Sequence, residues 1–236
     1  PAMGKSTLAL DFCRSASMKH GITSLIFSLE MSKEQLVNRI LSMESGVDAQ
    51  KMRNGDLSSS DFGNIIEAAA RIAESKNLVI DDTAGIGIGE LRSKCRKQKL
   101  EHGVDLVIID YLQLMTTGKQ VESRQQEVSV LSRNLKLLAK DLDVPVIAVA
   151  QLNRGPEART DKKPMMSDLR ESGSLEQDAD IIILLHRPEY YNSEDRPGEA
   201  DIILAKHRNG ETGTIRVLFQ GHMARFANFT SREEPA

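Results

Sequence analysis

Apolar positions along this chain follow two periods in turn, unbroken runs of aliphatic residues alternating with stretches in which they recur every third or fourth residue. The unbroken runs are short and rich in Ile, Val and Leu. They predict strands over Thr23–Leu29, Asn77–Ile80, Asp105–Asp110, Val144–Gln151, Ala179–Leu185, Ala200–Lys206 and Thr214–Phe219. Between them Leu8/Phe12/Ala16, Leu36/Val37/Ile40/Leu41, Phe62/Ile65/Ile66/Ala69/Ile72 and Val128/Leu131/Leu135/Leu138/Leu142 repeat at helical spacing. Strands that are apolar on both faces and separated by helices predict an α/β fold, a mostly parallel sheet with helices on both faces. Asn209-Gly210, with Gly213 nearby, separates the last two long strands and predicts a C-terminal antiparallel hairpin. Thr116–Gln126, which carries Lys119 and Arg124, and Asn153–Gly173 are long polar connections of the kind that compact domains keep for function. Arg187–Gly198, with two prolines, reads as a solvated surface loop without a role.

At 236 residues the chain suits one domain with a sizeable core. Forty per cent apolar residues, no Trp and few aromatics fit a core of Ile, Leu, Val and Ala. No stretch approaches the ~20 apolar residues of a membrane span, and no secretory signal is visible, so no membrane partner and a cytoplasmic location are expected. Cys13 and Cys95 lack C-x-x-C spacing and the five histidines form no zinc pattern. A net charge of −3 argues against a uniformly basic nucleic-acid coat, although a groove or ring can gather Lys and Arg locally. The basic run Arg92, Lys94, Arg96, Lys97 and Lys99 sits on a helical stretch and reads as a solvated face.

Candidate chemistry begins at Gly4-Lys5-Ser6-Thr7, which opens a helix. Free N–H groups and the helix dipole favour phosphate there; Lys5 would reach the β/γ-phosphates of ATP and Ser6 would ligate Mg²⁺, or else the segment is a Gly-Lys turn capping an ordinary helix. The full pattern G-x-x-x-x-G-K-[ST] needs an earlier glycine that would precede Pro1, and a P-loop follows a central strand. Residues 1–236 are therefore expected to be a single domain truncated at its N-terminus inside the P-loop. Asp110 ends the apolar run Asp105-Leu-Val-Ile-Ile-Asp110, as the acid that stands beside Mg²⁺ does in P-loop proteins.

Glu30 and Gln151 also end predicted strands, and ligands of parallel α/β sheets bind at the carboxyl ends of strands. Glu30 is the candidate base that orients the attacking water, or else an acid at a helix start. Gln151 is a candidate γ-phosphate sensor, or else an amide satisfied by backbone. Lys206 and Arg208 stand two apart, which places both cations on one strand face, a pair suited to phosphate or to a neighbour's active site; solvated charges near a turn are the plainer alternative. In Asp168–Asp180, backbone N–H groups around Gly173 with Arg170 beside them would grip a phosphodiester backbone, or the segment is a helix-capping turn.

Together, Pro1-Ala-Met-Gly-Lys-Ser6, Phe27-Ser-Leu-Glu-Met-Ser32, Val107-Ile-Ile-Asp-Tyr-Leu-Gln-Leu-Met115, Ala150-Gln-Leu-Asn-Arg154, the Asp168–Asp180 segment and Lys206-His-Arg-Asn-Gly210 closely resemble the C-terminal motor domain of DnaB-type bacterial replicative helicases. The resemblance spans nearly the whole chain, in order and spacing. It implies a RecA-like P-loop NTPase core, a homohexameric ring, and 5′-to-3′ translocation on single-stranded DNA driven by ATP and Mg²⁺, with primase and a helicase loader as partners. It further implies that Lys5 and Ser6 bind phosphate and Mg²⁺, that Glu30 is the base, Asp110 the magnesium-side acid and Gln151 the sensor. Lys206 and Arg208 would act in the neighbouring subunit's site, and Arg170, Glu171 and Gly173 would contact the DNA backbone. Ser6 stands where the family more often has Thr, which keeps the hydroxyl. A RecA-like recombinase or regulatory ATPase would use the same core without unwinding; the Asp168–Asp180 block and Lys206-x-Arg208 favour the helicase.

Overall fold

Two strands buried at every residue, β1 (Ser24–Ser28) and β3 (Leu106–Asp110), set the centre of the molecule. In the computed structural model, which describes residues 3–118, 123–153 and 155–229, they pair in parallel with Ser28 opposite Asp110. Strands β2 (Leu78–Asp81) and β4 (Val146–Ala148) flank them, giving the order β2-β1-β3-β4, parallel throughout. Of residues 170–172 only the backbone is described.

The period of two along these strands sorts the core into halves. Leu25, Phe27, Val107 and Ile109 face Leu91 and Cys95 of α5 (Ile88–His102) and Leu131, Leu135 and Leu138 of α6 (Arg124–Leu142). Ile26, Leu106 and Ile108 face Leu10 of α1 (Lys5–Arg14) and Leu36, Ile40 and Met43 of α2 (Lys33–Ser45). Helices therefore cover both faces, as the alternating pattern predicted. Each fully buried aliphatic or aromatic side chain among these contributes about 1.5–3 kcal/mol.

Local signals fix the helix ends. Ser32 and Gln35 form a capping box at the start of α2, and Ser58 with Asp61 does the same for α4 (Ser59–Glu74). A short α3 (Ala49–Asn54), capped by Asp48, lies between them and had no periodic signal of its own. The basic run on α5 stays at the surface, Arg96 and Lys97 exposed, with Arg96 paired to Asp141 of α6 and Lys94 2.8 Å from Asp81.

After β4 the chain makes α7 (Gly155–Ala158), a 3₁₀ turn over Met166–Ser172 and α8 (Gly173–Asp178). A separate antiparallel sheet of order β5-β6-β7-β8 follows, built from Ile181–His186, Glu199–His207, Gly213–Gln220 and Arg225–Asn228. The expected hairpin is thus the middle of a four-stranded sheet, β5 pairing antiparallel with β6 rather than continuing the parallel array. The fourth strand, Arg225-Phe-Ala-Asn228, is too short to show a period, and pairing with β7 rather than local sequence makes it a strand.

Candidate active site

Helix α1 begins without a side-chain cap. Its N-cap, Gly4, is left-handed at φ 94°, and no side-chain hydrogen bond caps the helix start. The open N–H groups and the positive end of the dipole form the kind of place that holds an anion. Only glycine suits position 4 on two counts: the positive φ, and a Cβ there that would lie 3.1 Å from Phe219 and 3.2 Å from Phe226. The rings belong to β7 and β8, pack at a tilt with centroids 5.0 Å apart, and Arg187 lies 3.8 Å over Phe219. Arg187, expected to belong to a solvated loop, is instead packed into this wall and paired with Glu189.

A buried polar cluster anchors the same helix. Asp11 accepts from Arg14 and, at 2.9 Å, from the backbone N–H of Phe226, while Arg14 reaches Glu44 at 2.6 Å. Helix α1 is thereby tied to α2 and to the antiparallel sheet. The phosphate-type turn is held from two sides.

Parallel pairing brings the strand ends to one edge. Asp110 ends β3, Glu30 lies two residues beyond β1, and Gln151 follows β4, whose predicted span shrinks to three residues so that Gln151 lies past the ladder. The Leu29 N–H donates to the Asp110 carbonyl at 2.7 Å, which sets Glu30 beside Asp110. Lys5, Ser6, Glu30 and Asp110 form one electrostatic group. Burial pushes the Lys5 ammonium below its ordinary value, opposed by the charges of Asp110 and Glu30. Burial pushes Asp110 above the usual carboxylate range and Glu30 adds to it; Ser6, Lys5 and Arg39 pull it back.

Arg39 was not among the sequence candidates. It lies on α2 between Leu36 and Met43, on the side of the helix that faces the core, and burial lowers its pKa against the attraction of Asp110 and Glu30. Among the described residues it makes no ion pair or hydrogen bond. The available signal was a cation interrupting the stripe Leu36, Ile40, Met43, three residues from the first and four from the last.

Asp110 Oδ1 is buried without a hydrogen-bond partner. Among the described residues no cluster of three His, Cys, Asp or Glu can hold a metal alone. One buried carboxylate oxygen in need of a partner, one serine hydroxyl and an open helix end fit Mg²⁺, which takes one or two protein oxygens and completes its shell with phosphate and water. Without such a cation, ionised Asp110 destabilises the fold. Its folded pKa lies above the unfolded value, so stability falls as pH rises through that window. Asp110→Asn is therefore expected to melt, without any bound ligand, at or above the wild-type temperature at neutral pH. The difference in melting temperature should shrink as pH falls toward 3.8, the ordinary Asp value. A strongly destabilised Asp110→Asn would refute the electrostatic account.

The other candidates lie elsewhere. Lys206 donates to the carbonyl of Glu176 at 2.7 Å, near the C-terminus of α8, and Arg208 pairs with Asp180 at 3.2 Å with its side chain 69% exposed. Both flank the α8–β5 connection. Thr7 is buried behind the turn. Gly173 opens α8, whereas the side chains of Arg170 and Glu171 lie outside the described residues, as do Pro1, Ala2, Lys119 and Arg154. The polar stretch from Asn153 is organised by buried Asp168, which accepts from Arg159 and from the Met165 N–H, while the Asn153 N–H donates to the Asp168 carbonyl at 3.0 Å. A cleft of about 220 Å³ between this stretch and α6 is lined by Gln113, Arg124, Gln151, Asn153 and Asp168 and by none of Lys5, Ser6, Glu30 or Asp110. Cys13 and Cys95 are free and buried, their thiols pushed up to about 12 by burial, so neither is a nucleophile.

Comparison with known proteins bears on these features. A family described as DnaB-like helicase C terminal domain matches residues 1–228. The replicative DNA helicase DnaB of Leifsonia xyli subsp. xyli is 56% identical over 97% of this chain and 50% of its own length. That of Mycobacterium intracellulare is 57% identical over 94% of the chain and 39% of its own length. The replicative DNA helicase DnaC of Bacillus subtilis is 46% identical over 100% of the chain and 52% of its own length. The chain thus spans about half or less of these relatives. Among solved structures, one described as an ATPase domain superposes with a TM-score of 0.93 at 40% identity, covering 98% of this chain and 82% of that one. A DnaB-like replicative helicase, described with its interactions with primase, gives the same TM-score and identity over 98% of this chain and 56% of that one.

Proposed function

The chain belongs to the family of DnaB-like helicase C-terminal domains, and from that membership we propose that it is the ATP-driven motor of a replicative DNA helicase, moving 5′-to-3′ on single-stranded DNA in a homohexameric ring. The observation that carries this reading is the convergence of Lys5, Ser6, Glu30 and Asp110 at the uncapped start of α1.

In this reading Gly4, Lys5, Ser6 and Thr7 seat the triphosphate, the Lys5 ammonium answering the charge of the β/γ-phosphates. Ser6 and Asp110 hold Mg²⁺, which when bound supplies charge neutralisation on phosphate oxygens. The Glu30 carboxylate is exposed beside Asp110, where it accepts a proton from, and orients, the attacking water. Gln151 donates its amide to the γ-phosphate. Arg39 brings a second cation of the same subunit toward charge that develops in transfer. Lys206 and Arg208 complete the neighbouring subunit's site; the exposure of Arg208 supports that role, and exposed Phe62 and Ile66 on α4 offer apolar surface to a neighbour.

Arg170, Glu171 and Gly173 grip the DNA backbone. Primase and a helicase loader are partners on the same family grounds. Among the described residues no helix is long and apolar enough to cross a membrane, and a cytoplasmic, replisome-bound location belongs to the same proposal.

Strand displacement on a forked duplex by the full-length protein tests the reading. ATP-dependent displacement that Glu30→Gln removes is the expected result. ATP turnover that drives no displacement would leave a recombinase or regulatory ATPase instead. Arg170→Ala should weaken binding to single strands of unrelated sequence by a similar factor and lower the salt slope by about 0.7, one phosphate contact's worth. Salt titrations on two sequences check this; loss confined to one sequence would indicate base reading.

A further inference from the structure

Gln113 lies in the 3₁₀ turn Leu112–Leu114 that follows β3, and it had no part in the site as read from sequence. Its side-chain amide meets the backbone of Gln151 at two points: Nε2 donates to the Gln151 carbonyl at 3.2 Å, and Oε1 accepts from the Gln151 N–H at 3.2 Å. The backbone ladder between the two segments has just ended, its last links being the Val149 N–H to Ile109 O and the Leu112 N–H to Val149 O, each 2.9 Å. The Gln113 amide supplies one more rung by side chain, at the residue read as the γ-phosphate sensor.

The rung is itself anchored. The Gln113 carbonyl accepts from Arg124 at the start of α6, Arg124 pairs with Glu127, and Glu127 accepts from the Thr117 N–H at 3.2 Å. On its other side Gln151 leads within two residues to Asn153, whose N–H is bonded to the Asp168 carbonyl. Gln151 therefore sits between two fixed points. One is the Gln113–Arg124–Glu127 chain, which ties together the two ends of the Thr117–Arg124 connection; the other is the Asp168-centred stretch that leads to Gly173.

We propose that Gln113 is a positioning residue that couples nucleotide state to DNA, holding the Gln151 backbone so that a change at the γ-phosphate is passed to the stretch from Asn153 to Gly173. This rests on the reading of Gln151 as sensor and of that stretch as the DNA grip. Gln113 bonds to backbone and makes no hydrogen bond to Lys5, Ser6, Glu30 or Asp110. Its removal should spare the basal reaction and reduce the response to DNA. An apolar side chain of the same length fills the space without forming the rung, which separates coupling from packing.

The experiment measures ATP turnover of the full-length protein with and without saturating oligo-dT, for Gln113→Ala, Gln113→Met and Gln151→Ala, with binding of the same oligonucleotide by fluorescence anisotropy. Both Gln113 variants should keep basal turnover and oligo-dT affinity within about twofold, as expected of a group that touches neither ligand. Both should lose most of the DNA stimulation, the loss lying in the stimulated kcat rather than in KM for ATP. Gln113→Glu, which keeps the acceptor and loses the donor, should be intermediate. Should Gln113→Ala not fold, Gln113→Met carries the comparison at nearly native volume. Full stimulation in Gln113→Met would overturn the proposal, as would an equal fall of basal and stimulated rates. If Gln151→Ala keeps full stimulation, the sensor reading fails and this inference with it. If Gln151→Ala loses stimulation while the Gln113 variants keep it, this inference alone fails.

Discussion

Lys5→Ala is expected to lower ATP turnover at least ~100-fold, the order seen when one fixed donor to developing charge is removed, while the fold is retained. The ammonium lies over the Tyr111 ring at 5.7 Å and makes no ion pair among the described residues, and burial already opposes its charge. Its loss removes little from the folded state. A bound triphosphate changes that balance, because several negative charges then lie at the open end of α1 where Lys5 is the nearest cation of the turn. Steady-state ATPase of the full-length protein, with far-UV circular dichroism and a melting curve as controls, checks the prediction. Normal turnover in a folded Lys5→Ala protein would remove the P-loop assignment, and with it the roles given to Ser6 and Asp110.

Arg208→Ala should produce a loss of comparable or larger size, roughly 10³-fold or more if Arg208 acts as an arginine finger, with almost no change in subunit stability. Its ion pair with Asp180 is exposed and contributes about 0–1 kcal/mol. Asp180 also keeps Lys136 as a partner. A trans-acting residue leaves a signature that a cis residue does not. Glu30→Gln and Arg208→Ala would each be defective in different halves of one interface, so random equimolar mixed rings regain a native pair at about a quarter of their interfaces. ATPase of the mixture should rise above either variant alone, provided that sites fire independently. If Arg208→Ala alone hydrolyses ATP at the normal rate in an assembled ring, the trans role is wrong.

Much of this molecule is legible in its sequence because burial leaves a local record. The fully buried β1 and β3 read as short apolar runs, Leu25–Phe27 and Leu106–Ile109. Parallel strands separated by helices then place Glu30 beside Asp110 at one sheet edge, while Gln151 lies three residues past the end of β4. Arg39 was missed because a period shows which face of α2 is buried and not which charges that face meets across the sheet edge. Gln113 was missed because one amide in a short turn carries no pattern.

The sequence alone determined the buried strands, the helix faces and the Gly4-Lys5-Ser6 turn, since each depends on neighbours within a few residues along the chain. Only the tertiary structure decided what encloses that turn. The Phe219 and Phe226 rings close over Gly4, and the Phe226 N–H reaches Asp11 across 215 residues of chain. It also decided the order of strands in both sheets, and in the second of them Arg225–Asn228 becomes a strand only by pairing with β7. Contacts of that range follow from the packing of whole sheets and helices, to which hydrophobic period and local propensity are blind. The same holds for the pKa shifts of Lys5, Arg39 and Asp110, which depend on distance through space and on exclusion of water rather than on separation in sequence.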